Sequence, residues 1–367
     1  MSEALPPIAV AMSGGVDSSA VAALLLSQGR RVIGLTMQLW DHGRSAPGGR
    51  TCCSLDDVQD ARQVAAHLGI PFYVVNFESA FRDSVVDDFL RARAAGATPN
   101  PCVRCNQVLK FQLLLERALA LGASHLATGH YARCERGDDG KPVLLRGLDT
   151  SKDQSYFLFS TPRDTLTRLL FPLGGLHKEQ TRALAAQAGL HLASKGESQD
   201  LCFIPDGDSA AFAQRHLPPH TFAPGPIVDL QGRVLGTHQG LNHYTVGQRR
   251  GLGVAAAQPL YVLALQPATQ TLVVGPHQAL ARNTLVAASC NWLDPRPPED
   301  WQGVSAKIRY ASPAAPVTLA SQGEGCIAVR FAEPQYGIAP GQACVFYHGE
   351  RVLGGGWIAA GECGNQA

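Results

Sequence analysis

Two groups of residues have the types and spacing for chemistry. The first is Ser13-Gly14-Gly15-Val16-Asp17-Ser18-Ser19, which follows the apolar run Ile8–Met12 and precedes a stretch rich in Ala, Val and Leu. Glycines let a backbone approach an anion closely and take positive φ. The N–H groups at a helix start, with the hydroxyls of Ser13, Ser18 and Ser19, can surround a phosphate. Asp17 adds a carboxylate beside that anion site, which calls for Mg²⁺ or a backbone contact. The string has neither the Lys-Ser/Thr ending of the phosphate loop nor the spaced glycines of dinucleotide binders. A plain strand–helix turn also favours small residues, but it does not ask for the whole string.

The second group is sulfur. Ten cysteines stand at 52, 53, 102, 105, 134, 202, 290, 326, 344 and 363. Cys102 and Cys105 lie in Thr98-Pro99-Asn100-Pro101-Cys102-Val103-Arg104-Cys105-Asn106, where two prolines bracket an Asn and read as a rigid loop. Arg104 and Lys110 are near in sequence, and a thiol beside cations or a helix start becomes a better nucleophile. Cys202 lies in Glu197–Pro205, near another turn. Three chemistries fit. Cys-x-x-Cys can be half of a zinc site, though no second pair follows at zinc spacing. Cys102, Cys105 and Cys202 can hold a 4Fe–4S iron–sulfur cluster with one open iron. Alternatively, one cysteine carries a persulfide and another thiol attacks it, leaving a disulfide. The remaining cysteines, Cys52 and Cys53 included, read as small buried apolar residues.

These groups need a scaffold. With 367 residues, 45% hydrophobic and 17% charged, the chain is long enough for two or three domains with real cores. Its formal net charge of +1 neither favours nor excludes nucleic acid, because a basic face can sit on a near-neutral protein. No leader-like start and no apolar run of about 18 residues is present, so the expectation is an untargeted cytoplasmic protein with no membrane partner.

Strand-like runs at Ile8–Met12, Arg31–Met37, Pro71–Val75 and Ser124–Gly129 alternate with helical stretches at Asp17–Leu26, Asp56–Leu68, Lys110–Leu121 and Glu179–Ala188. That alternation predicts a parallel sheet covered on both faces. After about Asp208 the texture changes to short β runs. Gly225–Asp229, Tyr261–Ala264 and Leu272–Val274 come first, followed from about Asn283 by six more that suggest a small barrel. The fold class is therefore α/β, with an N-terminal parallel-sheet domain (1–210), a small central β-rich domain (211–283) and a C-terminal β-barrel (284–367). Asp41–Arg50, rich in Gly, reads as a mobile loop.

The Ser13–Ser18 string resembles the pyrophosphatase loop of the ATP-pyrophosphatase superfamily, whose domain is adenine-nucleotide-alpha-hydrolase-like. Further blocks follow in order: Thr98–Asn106, Thr128-Gly129-His130-Tyr131, Lys152–Phe157, Cys202-Phe203-Ile204 and Tyr244–Gly253. Together they resemble the bacterial tRNA-specific 2-thiouridylases over nearly the whole chain.

The resemblance implies a reaction in which ATP, with Mg²⁺, adenylates the 2-oxo group of the wobble uridine of tRNA. A cysteine persulfide then delivers sulfur, and AMP and pyrophosphate are released. It implies that Cys202 bears the persulfide and Cys105 is the second nucleophile. ATP would meet Ala11, Met12, Ser13, Gly14, Gly15, Val16, Asp17 and Ser18, with Met37 and Gly129. Asn100, Pro101 and Cys102 would touch the target base. His130, Lys152, Asp153, Gln154, Arg309, Tyr310 and Gln342 would touch the tRNA anticodon stem-loop. A sulfur-donor protein carrying persulfide is the implied second partner. The family pattern has Asp where this chain has Cys102, so proton transfer loses a carboxylate there.

The residues read alone agree in places. Arg309 and Tyr310 combine a cation for phosphate with a ring for stacking on unpaired bases. The alternatives are an iron–sulfur-dependent thiolase, a synthetase or amidotransferase on the same loop, and a non-catalytic RNA-binding protein.

Overall fold

A computed structural model of the chain describes residues 5–39, 55–196, 201–204, 206–323 and 325–361. Asp41–Arg50, Cys52, Cys53, Glu197–Asp200 and Cys363 lie outside the described residues.

In chain order the strands and helices are β1 (Ile8–Ala11), α1 (Val16–Ser27), β2 (Val32–Gln38), α2 (Leu55–His67), β3 (Phe72–Asn76), α3 (Glu78–Phe81), α4 (Asp87–Ala94), α5 (Pro101–Arg104), α6 (Leu115–Ala120), β4 (His125–Ala127), β5 (Ala132–Arg136), β6 (Pro142–Arg146), α7 (Arg163–Leu166), β7 (Leu169–Leu170), α8 (Lys178–Gln187) and α9 (Ser209–His216). Then come β8 (Gly225–Val228), β9 (Val234–His238), β10 (Tyr261–Gln266), β11 (Thr271–Gly275), β12 (Ala281–Trp292), β13 (Ser305–Lys307), β14 (Ala315–Gly323), β15 (Cys326–Tyr336), β16 (Ala343–His348) and β17 (Arg351–Ile358). A π-helical run, Cys105–Leu114, joins α5 to α6. No helix among the described residues is long and apolar enough to cross a membrane.

The chain forms two compact units. One holds the residues up to Val85, Cys102–Gly207 and Glu350–Val352; the other holds Val86–Pro101, Asp208–Gly349 and the residues from Leu353 onward.

The first unit is built on a five-stranded sheet in the order β3-β2-β1-β4-β7, every pairing parallel. β1 and β2 are apolar on both faces because helices cover both sides, so they read as continuous runs rather than alternating ones. The core packs Val10, Met12, Ala20, Val21, Val64 and Ala185 with Tyr131 and Leu173. The chain runs from β1 outward to β3, then returns to place β4 on the other side of β1. The strand order therefore reverses between β1 and β4, where open α/β sheets bind ligands beyond their carboxyl ends.

The second unit carries two β structures. A four-stranded sheet, β10-β11-β8-β9, closes over Ile227, Val262, Leu272 and Val274. Strands β12-β15-β14-β13-β16-β17 follow, and β12 also pairs with β17, which closes a six-stranded barrel. Its interior is Ile327, Val329, Phe331, Phe346, Trp301 and Ile358. The predicted parallel sheet, central β region and barrel are all present.

One local expectation changes, and several short elements join those expected. The Cys102–Cys105 segment is helical from Pro101, not a loop followed by a helix at Lys110. Proline fits there because the first helical residue has no intrahelical use for an N–H. The β5–β6 hairpin and helices α3, α4 and α9 carried no strong periodic signal, and all are short.

Candidate active site

The Ser13–Ser18 turn leaves β1 at the reversal point and enters α1. Its hydroxyls fold the backbone on itself. The Ser13 N–H donates to Ser18 Oγ at 3.1 Å, while Ser18 Oγ and Ser19 Oγ donate to the Gly15 carbonyl at 3.2 and 2.9 Å. Thr36 on β2 donates to the Met12 carbonyl at 2.6 Å, which ties the turn to the sheet. Gly14 has φ +67°, and a Cβ there would collide with the Asp57 carbonyl. Gly15 is the N-cap of α1 and no side chain caps it, so the first N–H groups of the helix keep no side-chain acceptor at the cap.

Gly129 follows β4 across the reversal. A Cβ on it would lie 3.0 Å from Asp17 Cβ and 3.0 Å from the Ser18 nitrogen, so a larger residue would crowd the turn. Ala11 ends β1, Met12 is buried next to it, and Met37 is buried near the carboxyl end of β2. The residues assigned to ATP thus gather at the carboxyl edge of β1, β2 and β4.

Asp17 has side-chain partners that the sequence does not announce. Its carboxylate accepts from Lys178 Nζ at 2.7 and 2.8 Å and from the Tyr131 hydroxyl at 3.0 Å. The Tyr131 hydroxyl oxygen also lies 2.9 Å from Thr181 Oγ1, so α1, α8 and the segment after β4 are pinned together under the turn.

A second cation, Lys195, donates to the Gly14 carbonyl (2.9 Å), Asp57 (2.9 Å) and Asp60 (2.6 Å). Burial works against its charge, but the hydrogen bonds to Asp60 and Asp57 outweigh that and raise its pKa. Neither Lys178 nor Lys195 emerges from the sequence reading. Each is separated from its partners by more than a hundred residues, and no local pattern announces such a pair.

The thiols sit on the same unit as the turn. Cys102 is exposed, and Cys105 and Cys202 are half-buried. Cys102 and Cys105 are three residues apart on a helix, hence on one face. Asn106, one residue on, is buried and donates to the Phe157 carbonyl at 3.2 Å, which fixes the helical run. Phe203, beside Cys202, is buried edge-to-face on Phe81, with ring centroids 5.7 Å apart. Phe81 ends α3, and α3 packs against the run beginning at Cys105.

Three other thiols match the apolar reading. Burial pushes Cys134 up to about 11, helped by Glu135, and Cys290 up to about 12; the same cause raises Cys344. Such thiols are not thiolates near neutral pH.

Cys102, Cys105 and Cys202 do not form a ligand set. No group of three or more His, Cys, Asp or Glu among the described residues is placed to hold a metal ion. The iron–sulfur alternative therefore does not fit this arrangement of the described residues.

The residues assigned to tRNA divide. His130 is buried between the rings of Phe111 and Phe171, with Nδ1 2.7 Å from Thr128 Oγ1. Burial first, and then the Lys110 ammonium, hold its pKa well below the usual imidazole range, so it is neutral. Asp153 is also buried and accepts from the Gly147 and Ser155 N–H groups at 3.1 and 3.0 Å. Gln154 accepts from the Tyr131 N–H at 3.0 Å. These three hold the chain near the β4 end, while Lys152 is half-buried beside them.

On the second unit, Gln342 Nε2 donates to the Thr98 and Pro99 carbonyls at 3.0 and 3.3 Å, which fastens the strand leading to Asn100 and Pro101. Arg309 donates to the Gly337 carbonyl, and Tyr310 is exposed with the Lys307 ammonium 5.6 Å from its ring centroid.

Known proteins share this organisation. The family described as the tRNA methyl transferase HUP domain matches residues 7–206, the tRNA methyl transferase PRC-barrel domain matches 210–276, and the aminomethyltransferase beta-barrel domain matches 282–358. The tRNA-specific 2-thiouridylase MnmA of Magnetococcus marinus is 58% identical over 352 residues, covering 96% of this chain and 98% of the relative. Those of Geotalea uraniireducens and Geobacter metallireducens are 51% and 52% identical, each over 96% of this chain and over 94% and 96% of the relative. A turn built for phosphate at the sheet's reversal point, thiols on the same unit and relatives of this closeness over nearly the full length lead to one conclusion: the chain belongs to the tRNA-specific 2-thiouridylase family.

Proposed function

We propose that the chain replaces the 2-oxo group of the wobble uridine of tRNA by sulfur, using ATP as activator and a persulfide on Cys202 as sulfur source. ATP docks its phosphates on the Ser13–Ser18 turn and the N-terminus of α1. Mg²⁺ accompanies it as counterion, held mainly by phosphate oxygens and water. The uridine O2 attacks the α-phosphorus, pyrophosphate leaves, and the oxygen becomes part of an AMP leaving group. The terminal sulfur of the Cys202 persulfide attacks C2, AMP departs, and the base is joined to Cys202 through two sulfurs. The Cys105 thiolate then attacks the Cys202 sulfur. That step frees the thiolated base and forms a Cys105–Cys202 disulfide. An external dithiol reduces the disulfide, and a donor protein restores the persulfide.

The observation that carries this reading is the packing of Phe203 on Phe81, with α3 against the Cys105 run. It supports the reading because the neighbour of Cys202 rests on an element that also packs against the run beginning at Cys105, within the unit that holds the phosphate turn. Asn100, Pro101 and Cys102 are assigned to the target base, and Lys152, Arg309 and Tyr310 to the anticodon stem-loop. His130, Asp153, Gln154 and Gln342 act by holding those segments in place.

The products of ATP decide the matter. Protein incubated with ATP, Mg²⁺, a persulfide donor and unmodified tRNA is expected to form AMP and pyrophosphate in step with 2-thiouridine, read by nucleotide chromatography. Formation of ADP would contradict the loop assignment.

A further inference from the structure

Three aromatic rings stand in a row on the second unit, outside both of its apolar cores. His277, which follows β11, stacks flat on Tyr336 at the end of β15, with centroids 4.5 Å apart and planes within 10°. Tyr261, the first residue of β10, meets His277 edge-on at 5.0 Å and 64°. Tyr336 is 45% exposed and His277 is exposed as well. Two guanidiniums flank the row, each fixed by main-chain carbonyls. Arg282 donates to the Ala279 and Ala281 carbonyls at 3.0 and 2.9 Å, on the segment that carries His277. Arg309 donates to the carbonyl of Gly337, the neighbour of Tyr336, and the Gly247 backbone lies against it.

A ring packed for stability alone goes into a core. Here two rings are stacked in the open and held by strand ends, and cations with restricted freedom stand beside them. The geometry points to a base-stacking platform: an unpaired base of the tRNA substrate stacks on the His277–Tyr336 pair while Arg282 and Arg309 meet the adjoining phosphates. Stacking on a pre-ordered ring is sequence-tolerant and adds affinity without base-edge readout. Protein ligands would use the rings equally well, but they would not need two cations tied to the segments that carry those rings. This inference deepens the tRNA reading above and rests on it.

The test is retention of an unmodified tRNA transcript on filters at fixed salt. Tyr336→Ala and His277→Ala are each expected to weaken binding about tenfold, and Tyr336→Phe to stay within about twofold. Arg282→Gln is expected to weaken binding and to reduce the slope of log Kd against log salt by roughly one contact. Thermal unfolding checks that each variant is folded. Should Tyr336→Ala unfold, His277→Ala, which leaves β15 intact, carries the same expectation. Wild-type binding matched by both Tyr336→Ala and His277→Ala would overturn the platform alone. Failure of the wild type to retain tRNA would overturn the substrate reading and the platform together.

Discussion

At the scale of single residues, the nucleotide turn depends on what glycine lacks. Gly14 needs positive φ and has no room for a Cβ against the Asp57 carbonyl, and a Cβ on Gly129 would come within 3.0 Å of the turn. Gly14→Ala is therefore expected to displace the turn. ATP affinity should fall at least about tenfold by calorimetric titration, and stability by about 1–3 kcal/mol from a residue forced into that backbone region. Unaltered ATP binding would contradict the assignment of the turn.

The sequence announced these glycines because small residues between an apolar run and a helix leave a local mark. It could not announce Lys195, whose ammonium joins the Gly14 carbonyl to Asp57 and Asp60. Nor could it show that Asp17 is matched by Lys178 and Tyr131. His130 illustrates the reverse case. The resemblance assigns it to tRNA, and its own letters do not show that the rings of Phe111 and Phe171 enclose it and keep it uncharged.

At the scale of elements, the alternation of apolar runs and helices made β1, β2, β3 and β4 legible, together with the strands of the barrel. The Pro99–Pro101 bracket was read as a loop because proline is usually a breaker; at the first position of α5 it instead starts the helix that carries Cys102 and Cys105. Short elements such as α3 and the β5–β6 hairpin are stabilised by tertiary contacts rather than by their own periodicity, so their residues carry little signal.

α3 matters most among them, because its terminal Phe81 receives Phe203. Phe203→Ala removes a fully buried ring, a change that costs about 3–5 kcal/mol in a core. Here the loss falls on the segment carrying Cys202. Thiolation is expected to drop at least tenfold and Cys202 to alkylate faster, while ATP binding persists. Thiolation at the wild-type rate would show that this packing does not position Cys202.

At the scale of the whole molecule, each of the three family matches has an apolar core among the described residues: one under the parallel sheet, one in the four-stranded sheet and one inside the barrel. A chain with net charge +1 has little overall field to draw a polyanion, so the proposed tRNA binding relies on local groups, for which Lys152, Arg309 and the ring row with Arg282 are the candidates. That division of labour was visible only in part from sequence. The change of texture after Asp208 marked where the α/β pattern stops, but the closure of β12 onto β17 is a long-range pairing with no local signature.

The central claim is that sulfur passes through two thiols in sequence, and nucleoside mass analysis of tRNA tests it most directly. After reaction with ATP and a persulfide donor, the wild type should yield 2-thiouridine. Cys202→Ser should yield none, and Cys105→Ser should hold the tRNA joined to Cys202 through a reducible disulfide without releasing product. Free 2-thiouridine from either variant at the wild-type rate would contradict transfer through this pair.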